Sequence, residues 1–206
     1  LKRMNEFNRN ESSLLMVYDE ILIPLAHDIY DRRKVFINEF LPIFQKYYSQ
    51  ITGQKETVNI EYLSQLHNHR LEDLLNLNLK KDLILQRTTQ GTHKDDLIFI
   101  MNTNPLKRFA SQGQGKSFLF ALKLAGATYI YKLKKVKPLL LLDDVCEKLD
   151  EQRLGWLLRL ISDEKNKHFG QVFITDTTRN KLEAFLPEHA KTKYIQIPLV
   201  NTDLHI

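Results

Sequence analysis

The sequence predicts an α/β fold in which a helical arm precedes a mainly parallel sheet with an acidic edge. Three observations carry that expectation. Apolar residues recur at three- and four-residue spacing from Ser12 to about Gln50, the period of a helix face. The second half alternates short apolar runs with helical stretches, a βαβ rhythm that calls for parallel strands with helices on both faces. Finally, Leu139–Leu142 is an unbroken aliphatic run that ends in Asp143-Asp144. Such a run describes a buried parallel strand that delivers acids at its C-terminal edge, where open α/β sheets place their chemistry.

The helical stretch carries Leu14, Leu15, Tyr18, Leu22, Leu25 and Ile29, then Val35, Phe36, Glu39, Phe40 and Phe44. Pro24 and Pro42 each predict a kink or a new helix, and the whole reads as an antiparallel helical arm. Thr52-Gly53-Gln54 ends it, and Thr57–Tyr62 alternates like a strand. A second helix spans about Asn68 to Leu85, with Leu71, Leu74, Leu75 and Leu79 on one side. Thr88–His93 breaks the pattern and marks a boundary between a helical arm domain, residues 1–88, and a second lobe, residues 89–206. In that lobe Leu97–Met101 is a strand, Asn102–Pro105 a turn, Gly115 to about Leu133 a helix and Leu139–Leu142 the buried strand. Glu151–Ile161 follows as helix, Gln171–Thr175 as strand, Lys181–Leu186 as helix and Tyr194–Ile197 as strand.

The 206 residues are 43% hydrophobic and 27% charged, the balance of a folded protein rather than a disordered one. No apolar run approaches the roughly 20 residues that span a bilayer, and the start, with Lys2, Arg3, Asn5 and Glu6, shows no signal peptide. A single cysteine, Cys146, excludes an internal disulfide and suits the cytoplasm. A net charge of +5 and a pI near 9.1 permit binding to nucleic acid without requiring it.

Two motifs bear chemistry. Asp143 and Asp144 are placed to do two jobs, because adjacent residues at a strand end point to different sides: one acid for Mg²⁺, the next for orienting water. The alternative is an ordinary polar turn after a strand. Upstream, Ser111-Gln-Gly-Gln-Gly-Lys-Ser117 ends like a phosphate-binding P-loop, but that loop needs glycine where Ala110 stands and a buried strand where Leu106–Phe109 stands. It reads instead as a loop opening a helix, with Ser111 and the Gly113 amide offering donors to an anionic phosphate. A plain serine N-cap explains Ser111 but not Gly-Gln-Gly.

Ser111-Gln112-Gly113-Gln114, then an apolar helix, then Leu-Leu-Leu-Asp143-Asp144-Val-x-x-x-Leu149-Asp150 resembles the RecF family of bacterial recombination-mediator ATPases, which belongs to the structural-maintenance branch of ABC-type ATPases. Thr89–Leu97 is similar to that family's Gly-Pro-His-Arg-Asp-Asp segment, with Thr92 and Lys94 as departures, and the start of the chain resembles its arm, notably Asp31-Arg32-Arg33 and the Pro42 to Gly53 stretch. The resemblance covers most of the chain but not the family's N-terminal P-loop lobe. It implies the C-terminal part of an ABC-type P-loop ATPase sheet with an α-helical arm domain.

Carried over residue by residue, the resemblance makes Ser111, Gly113 and Gln114 a signature loop that caps the γ-phosphate of ATP held by another protomer. It makes Asp143 the Mg²⁺ acid, Asp144 the catalytic carboxylate and Asp150 the D-loop acid at the dimer interface. Where many relatives of the wider class carry a switch histidine this chain has Asp176, so a histidine switch is unsupported. Aspartate rather than glutamate at position 144 is a shorter arm and implies slow, switch-like hydrolysis.

The remaining polar clusters read more plainly. His67-x-His69 has the spacing of two ligands on a strand but lacks partners for a zinc set, and reads as surface histidines. Cys146 reads as a buried thiol and His93 with Asp95-Asp96 as a capped turn. Lys132, Lys134, Lys135 and Lys137 form the densest basic run, a solvated helix end that, given the resemblance, contributes to non-specific DNA backbone binding together with Arg32 and Arg33.

The implied function is an ATP- and Mg²⁺-dependent homodimeric clamp on single-strand/double-strand DNA junctions. It would act in DNA replication, repair and the SOS response with recombination mediator proteins, in the cytoplasm and away from membranes. This chain by itself, lacking the lysine-bearing loop, is expected not to turn over ATP. The alternative is a non-catalytic DNA-docking module with vestigial ATPase motifs. An ABC transporter domain is disfavoured, since Asp-Asp-Val-Cys146 stands where Asp-Glu-Pro-Thr belongs.

Overall fold

A computed structural model describes residues 9–147, 149–163, 168–177, 179–186 and 190–195. The first element, α1, runs unbroken from Arg9 to Thr52 with both prolines inside it. Neither proline starts a new helix. A proline removes one amide and frees the carbonyl four residues earlier. Pro24 and Pro42 are exposed, as are Glu20 and Asn38, so water can take those carbonyls. The arm is therefore one continuous helix rather than a broken pair.

The two halves of α1 have different surroundings. In the first half Leu14, Val17, Tyr18, Ile21, Leu22 and Leu25 are exposed and Ala26 is buried. In the second half Phe40, Phe44, Tyr47, Tyr48 and Ile51 are buried. Strand β1 (Val58–Leu63) and α2 (Leu71–Leu85) follow. Leu71, Leu74 and Leu75 of α2 close over Ala26, Ile23 and Tyr30 in a small satellite core. Asp82, buried at the end of α2, accepts from the backbone and hydroxyl of Thr89 and so pins the chain after the helix.

Strand β2 (Asp96–Met101) pairs antiparallel with β1, Val58 opposite Met101 and Leu63 opposite Asp96. Asn102 takes the left-handed conformation, φ 56°, and the chain returns as β3 (Asn104–Pro105), also antiparallel. The expected Asn102–Pro105 turn is thus a hairpin. Helix α3 (Leu106–Phe109) is a single turn, and α4 (Gln112–Lys134) starts three residues before the expected Gly115. Strand β4 (Leu140–Leu142), α5 (Glu151–Ser162), β5 (Val172–Ile174) and α6 (Arg179–Phe185) complete the described elements.

Among the described residues only β4 and β5 are parallel, in register Leu140–Val172 to Leu142–Ile174. The larger sheet is antiparallel, which departs from the expected mainly parallel sheet. The βαβ rhythm is real, but among the described residues it contributes just this pair. Leu140 and Leu142 are buried whereas Leu139 and Leu141 are exposed, so β4 is covered on one face and not on both. Of the expected strand Tyr194–Ile197, Tyr194 and Ile195 have no regular structure, and the rest lies outside the described residues.

One core gathers Phe44, Tyr48 and Ile51 of α1, Phe118, Phe120 and Leu124 of α4, Leu140 and Leu142 of β4, and Leu154, Leu157 and Leu158 of α5. It crosses the boundary read near residue 88. Phe44 meets Phe118 edge-on at 4.7 Å between ring centres, a favoured aromatic geometry. At the end of α1, Gly53 has φ 61° and lies under the indole of Trp156 on α5. A Cβ there would stand 2.3 Å from the ring, so only glycine meets both the left-handed backbone and the close approach.

Candidate functional site

The start of α4 is fixed by a reciprocal cap. The Ser111 hydroxyl accepts from the Gln114 amide at 3.3 Å, and Gln114 Oε1 accepts from the Ser111 amide at 2.8 Å. This capping box satisfies two groups that a helix start leaves open. The Gly115 amide bonds to the Ser111 carbonyl at 2.9 Å. The helix itself offers no partner to the amides of Gln112 and Gly113, which carry the positive end of the helix dipole. Ser111 and Gln112 are exposed.

The tempting Gly-Lys-Ser ending is no P-loop. It is preceded by helical α3 and lies within α4, where the fully buried Ser117 hydroxyl donates to the Gly113 carbonyl at 2.9 Å. No phosphate or metal reaches it there.

Beyond β4 the chain carries its acids outward. Asp143 and Asp144 are exposed, and the Thr175 hydroxyl, just past β5, donates to Asp143 Oδ1. Asp144 has φ 49°. This left-handed residue turns the backbone at once and separates the direction of its side chain from that of Asp143. Asp176 accepts from the Cys146 amide at 2.6 Å and ties the loop after β4 to the end of β5. The expected switch position is thus a structural brace for the acidic turn. Cys146 is buried, and burial, followed by the nearby Asp176 carboxylate, pushes its thiol up to about 12. It is no nucleophile.

Asp150 is the N-cap of α5. It accepts from the Arg153 amide at 2.8 Å and pairs with Arg153 Nε at 3.2 Å, while remaining largely exposed. The Arg153 guanidinium then turns inward. Its Nη2 donates to Glu56 Oε1 at 2.7 Å and its Nη1 to Ser117 at 3.0 Å. Gln114 Nε2 also donates to Glu56 Oε1, at 3.0 Å, and the Tyr48 hydroxyl to Oε2. Burial opposes ionisation of Glu56, yet the bonds from Tyr48, Gln114 and Arg153 outweigh it and hold the carboxyl below its ordinary range. Arg153 is pushed down by burial and, more strongly in sum, up by Glu56 and its other acidic neighbours.

Sequence reasoning found the residues at the two ends of this network, Gln114 and Asp150, but missed Glu56, Arg153, Tyr48 and Thr175. Asp150-x-x-Arg153 is a legible helix start. Nothing in the sequence signals that Arg153 meets Glu56, 97 positions away.

The expected DNA-facing cations separate into two groups. Lys132, Lys134, Lys135 and Lys137 are exposed at the end of α4, where Lys135 forms the left-handed cap. Arg32 is exposed and held by Asp28 at 2.8 Å. Arg33 is partly exposed and donates to the Thr92 carbonyl and to the buried carboxylate of Asp95, both at 2.7 Å. It ties α1 to the turn before β2. His67 and His69 are exposed, as their spacing without further ligands implied. His67 lies in a short 3-10 helix, Gln65–His67, with Nδ1 at the Tyr30 hydroxyl and Nε2 at the Tyr62 carbonyl. His93 meets the Thr88 carbonyl at 3.1 Å in the expected turn. Among the described residues no group of three His, Cys, Asp or Glu side chains could enclose a metal, and no helix is long and apolar enough to cross a membrane.

No family model matches the chain. Known proteins do. Over 182 residues, 88% of its length, it is 42% identical to the DNA replication and repair protein RecF of Flavobacterium johnsoniae, and over 176 residues it is 39% identical to RecF of Bacteroides fragilis. The chain belongs to the RecF family. It spans about half the length of these RecF relatives, 50% and 47%. Its fold matches that of the recombination mediator protein RecF solved with ATP, at a TM-score of 0.67 and 24% identity, covering 87% of this chain and 48% of that one. The α/β architecture is thus that of the RecF fold.

Proposed function

We propose that this chain supplies the arm (residues 1–88) and the signature, Walker B and D-loop lobe (residues 89–206) of a RecF-type ATPase that acts in DNA replication and repair. The observation that carries the reading is the pair Asp143-Asp144 at the carboxyl end of β4, beside the strand β5 that pairs with it in parallel. That is the edge at which open α/β sheets bind nucleotides.

Asp143, with the Thr175 hydroxyl against it, offers oxygen donors of the hardness Mg²⁺ prefers. One or two carboxylates suffice there, because this ion keeps water and phosphate oxygens as its other ligands. When bound, the ion neutralises charge on the phosphates. Asp144, directed elsewhere by its turn, orients the attacking water. Ser111 and the open amides of Gln112 and Gly113 present donors to the γ-phosphate of ATP on a second protomer. Two such sites hold a homodimer together while the γ-phosphates persist, and hydrolysis releases it. Exposed Lys132, Lys134, Lys135, Lys137 and Arg32 add non-specific, salt-dependent contacts to DNA at single-strand/double-strand junctions, where recombination mediators join.

The test compares ATP turnover on gapped DNA by this chain, by a full-length RecF polypeptide containing it, and by the full-length Asp144→Asn variant. Turnover in the full-length protein alone, lost in the variant, is expected. Turnover by the isolated chain, or equal turnover in the variant, overturns the reading. Absence of turnover in every sample favours a docking module with vestigial motifs.

A further inference from the structure

Glu56 and Arg153 lie between the two segments that would meet ATP, although neither belongs to a nucleotide motif. Both are largely withdrawn from water, with side chains 11% and 15% exposed. Glu56 spends both oxygens: Oε2 on Tyr48, and Oε1 on Gln114 and Arg153. Arg153 spreads its fork over Glu56, Ser117 and Asp150. Gln114 is held at both ends of its amide, by the Ser111 backbone on one side and Glu56 on the other. One ion pair thereby sets the orientation of the cap at the start of α4 and of the acid at the start of α5.

The pair is also tied to the arm. Tyr48 lies on the last turns of α1, and Glu56 follows its end by four residues, after the Gly53 turn lodged under Trp156. A helix of 44 residues is about 66 Å long. Stability alone does not call for this arrangement, since a buried ion pair can often be replaced by apolar side chains of similar volume without loss.

We infer that Glu56 and Arg153 are positioning residues that hold Gln114 and Asp150 in the geometry needed to close on ATP of a second protomer. The inference rests on the trans-acting cap proposed above. Neither residue touches nucleotide.

The test uses a full-length RecF polypeptide containing this sequence, with Glu56→Met and Arg153→Met combined. Three quantities are read: ATP affinity at concentrations too low for assembly, ATP-dependent dimerisation by sedimentation, and the nucleotide-free melting temperature. Assembly at least tenfold weaker, with ATP affinity within twofold of wild type and an unchanged or higher melting temperature, is the expected result. Unchanged assembly overturns the inference, as does an assembly loss that merely tracks a lower melting temperature. Arg153→Lys gives a second reading, because it keeps a cation beside Glu56 but loses the fork to Ser117 and Asp150. It is expected to weaken assembly while sparing ATP affinity, and intact assembly in this variant also overturns the inference. If the wild-type protein does not dimerise with ATP, the trans-cap reading itself fails.

Discussion

Arg153 donates to Glu56 at 2.7 Å across 97 positions of sequence, and through this contact α1, α4 and α5 meet in one polar network inside an otherwise apolar core. Removing one partner leaves the other charged and buried. Arg153 keeps Asp150 and Ser117, so Glu56→Ala is expected to destabilise this chain by about 1–3 kcal/mol, whereas the paired Met substitution costs little or nothing. Urea unfolding of the three proteins checks both values.

The same contact gives acid sensitivity. The carboxyl of Glu56 is held below its ordinary value in the fold. A lowered folded pKa contributes stability that is present above the unfolded value, near 4.5, and is lost as pH falls through the folded one. The melting temperature should therefore drop as pH is lowered from 5 to 3, with a shallower drop in the paired Met variant. Equal slopes would remove Glu56 from the account.

Much of this was legible in the sequence, and the misses have physical causes. Helical periodicity located α1, α2, α4 and α5 because each has a face to bury. The rule that proline breaks helices failed at Pro24 and Pro42 because both are exposed, where water can take a freed carbonyl. The aliphatic run Leu139–Leu142 pointed to a strand covered on both faces, but hydrophobicity states what prefers burial and not what lies against it. Exposed Leu139 and Leu141 mark that difference. The acids and the capped loop were readable as local motifs, whereas Glu56–Arg153 and Thr175–Asp143 are made only by tertiary packing.

Two glycines should respond in opposite directions. Gly53→Ala forces a Cβ into a left-handed residue and against Trp156, at a cost above about 2 kcal/mol. As Trp156 is the only tryptophan, its emission should shift at the same time. Gly126→Ala, within α4 and facing open space, should stabilise by about 0.5–1 kcal/mol. Thermal unfolding followed by fluorescence measures both.

Cys146 should resist alkylation. Burial first, then Asp176, pushes its thiol to about 12. The thiolate fraction at pH 8 is thereby on the order of a thousandfold below that of a free cysteine near 8.5. Mass spectrometry after iodoacetamide should find native chain almost unlabelled and urea-unfolded chain fully labelled. Rapid labelling of the native chain would contradict the packing around the acidic turn.

If the cap at Ser111 and the acids at Asp143-Asp144 serve different protomers of one ATP site, two inactive variants should complement each other when mixed. Full-length RecF polypeptides containing this sequence are prepared as Ser111→Arg and as Asp144→Asn, each expected to be inactive alone. In a mixture, the acids of the first and the cap of the second complete one site per heterodimer. Turnover restored to a substantial fraction of wild type is the expected result. A mixture no more active than the sum of its parts would contradict the account.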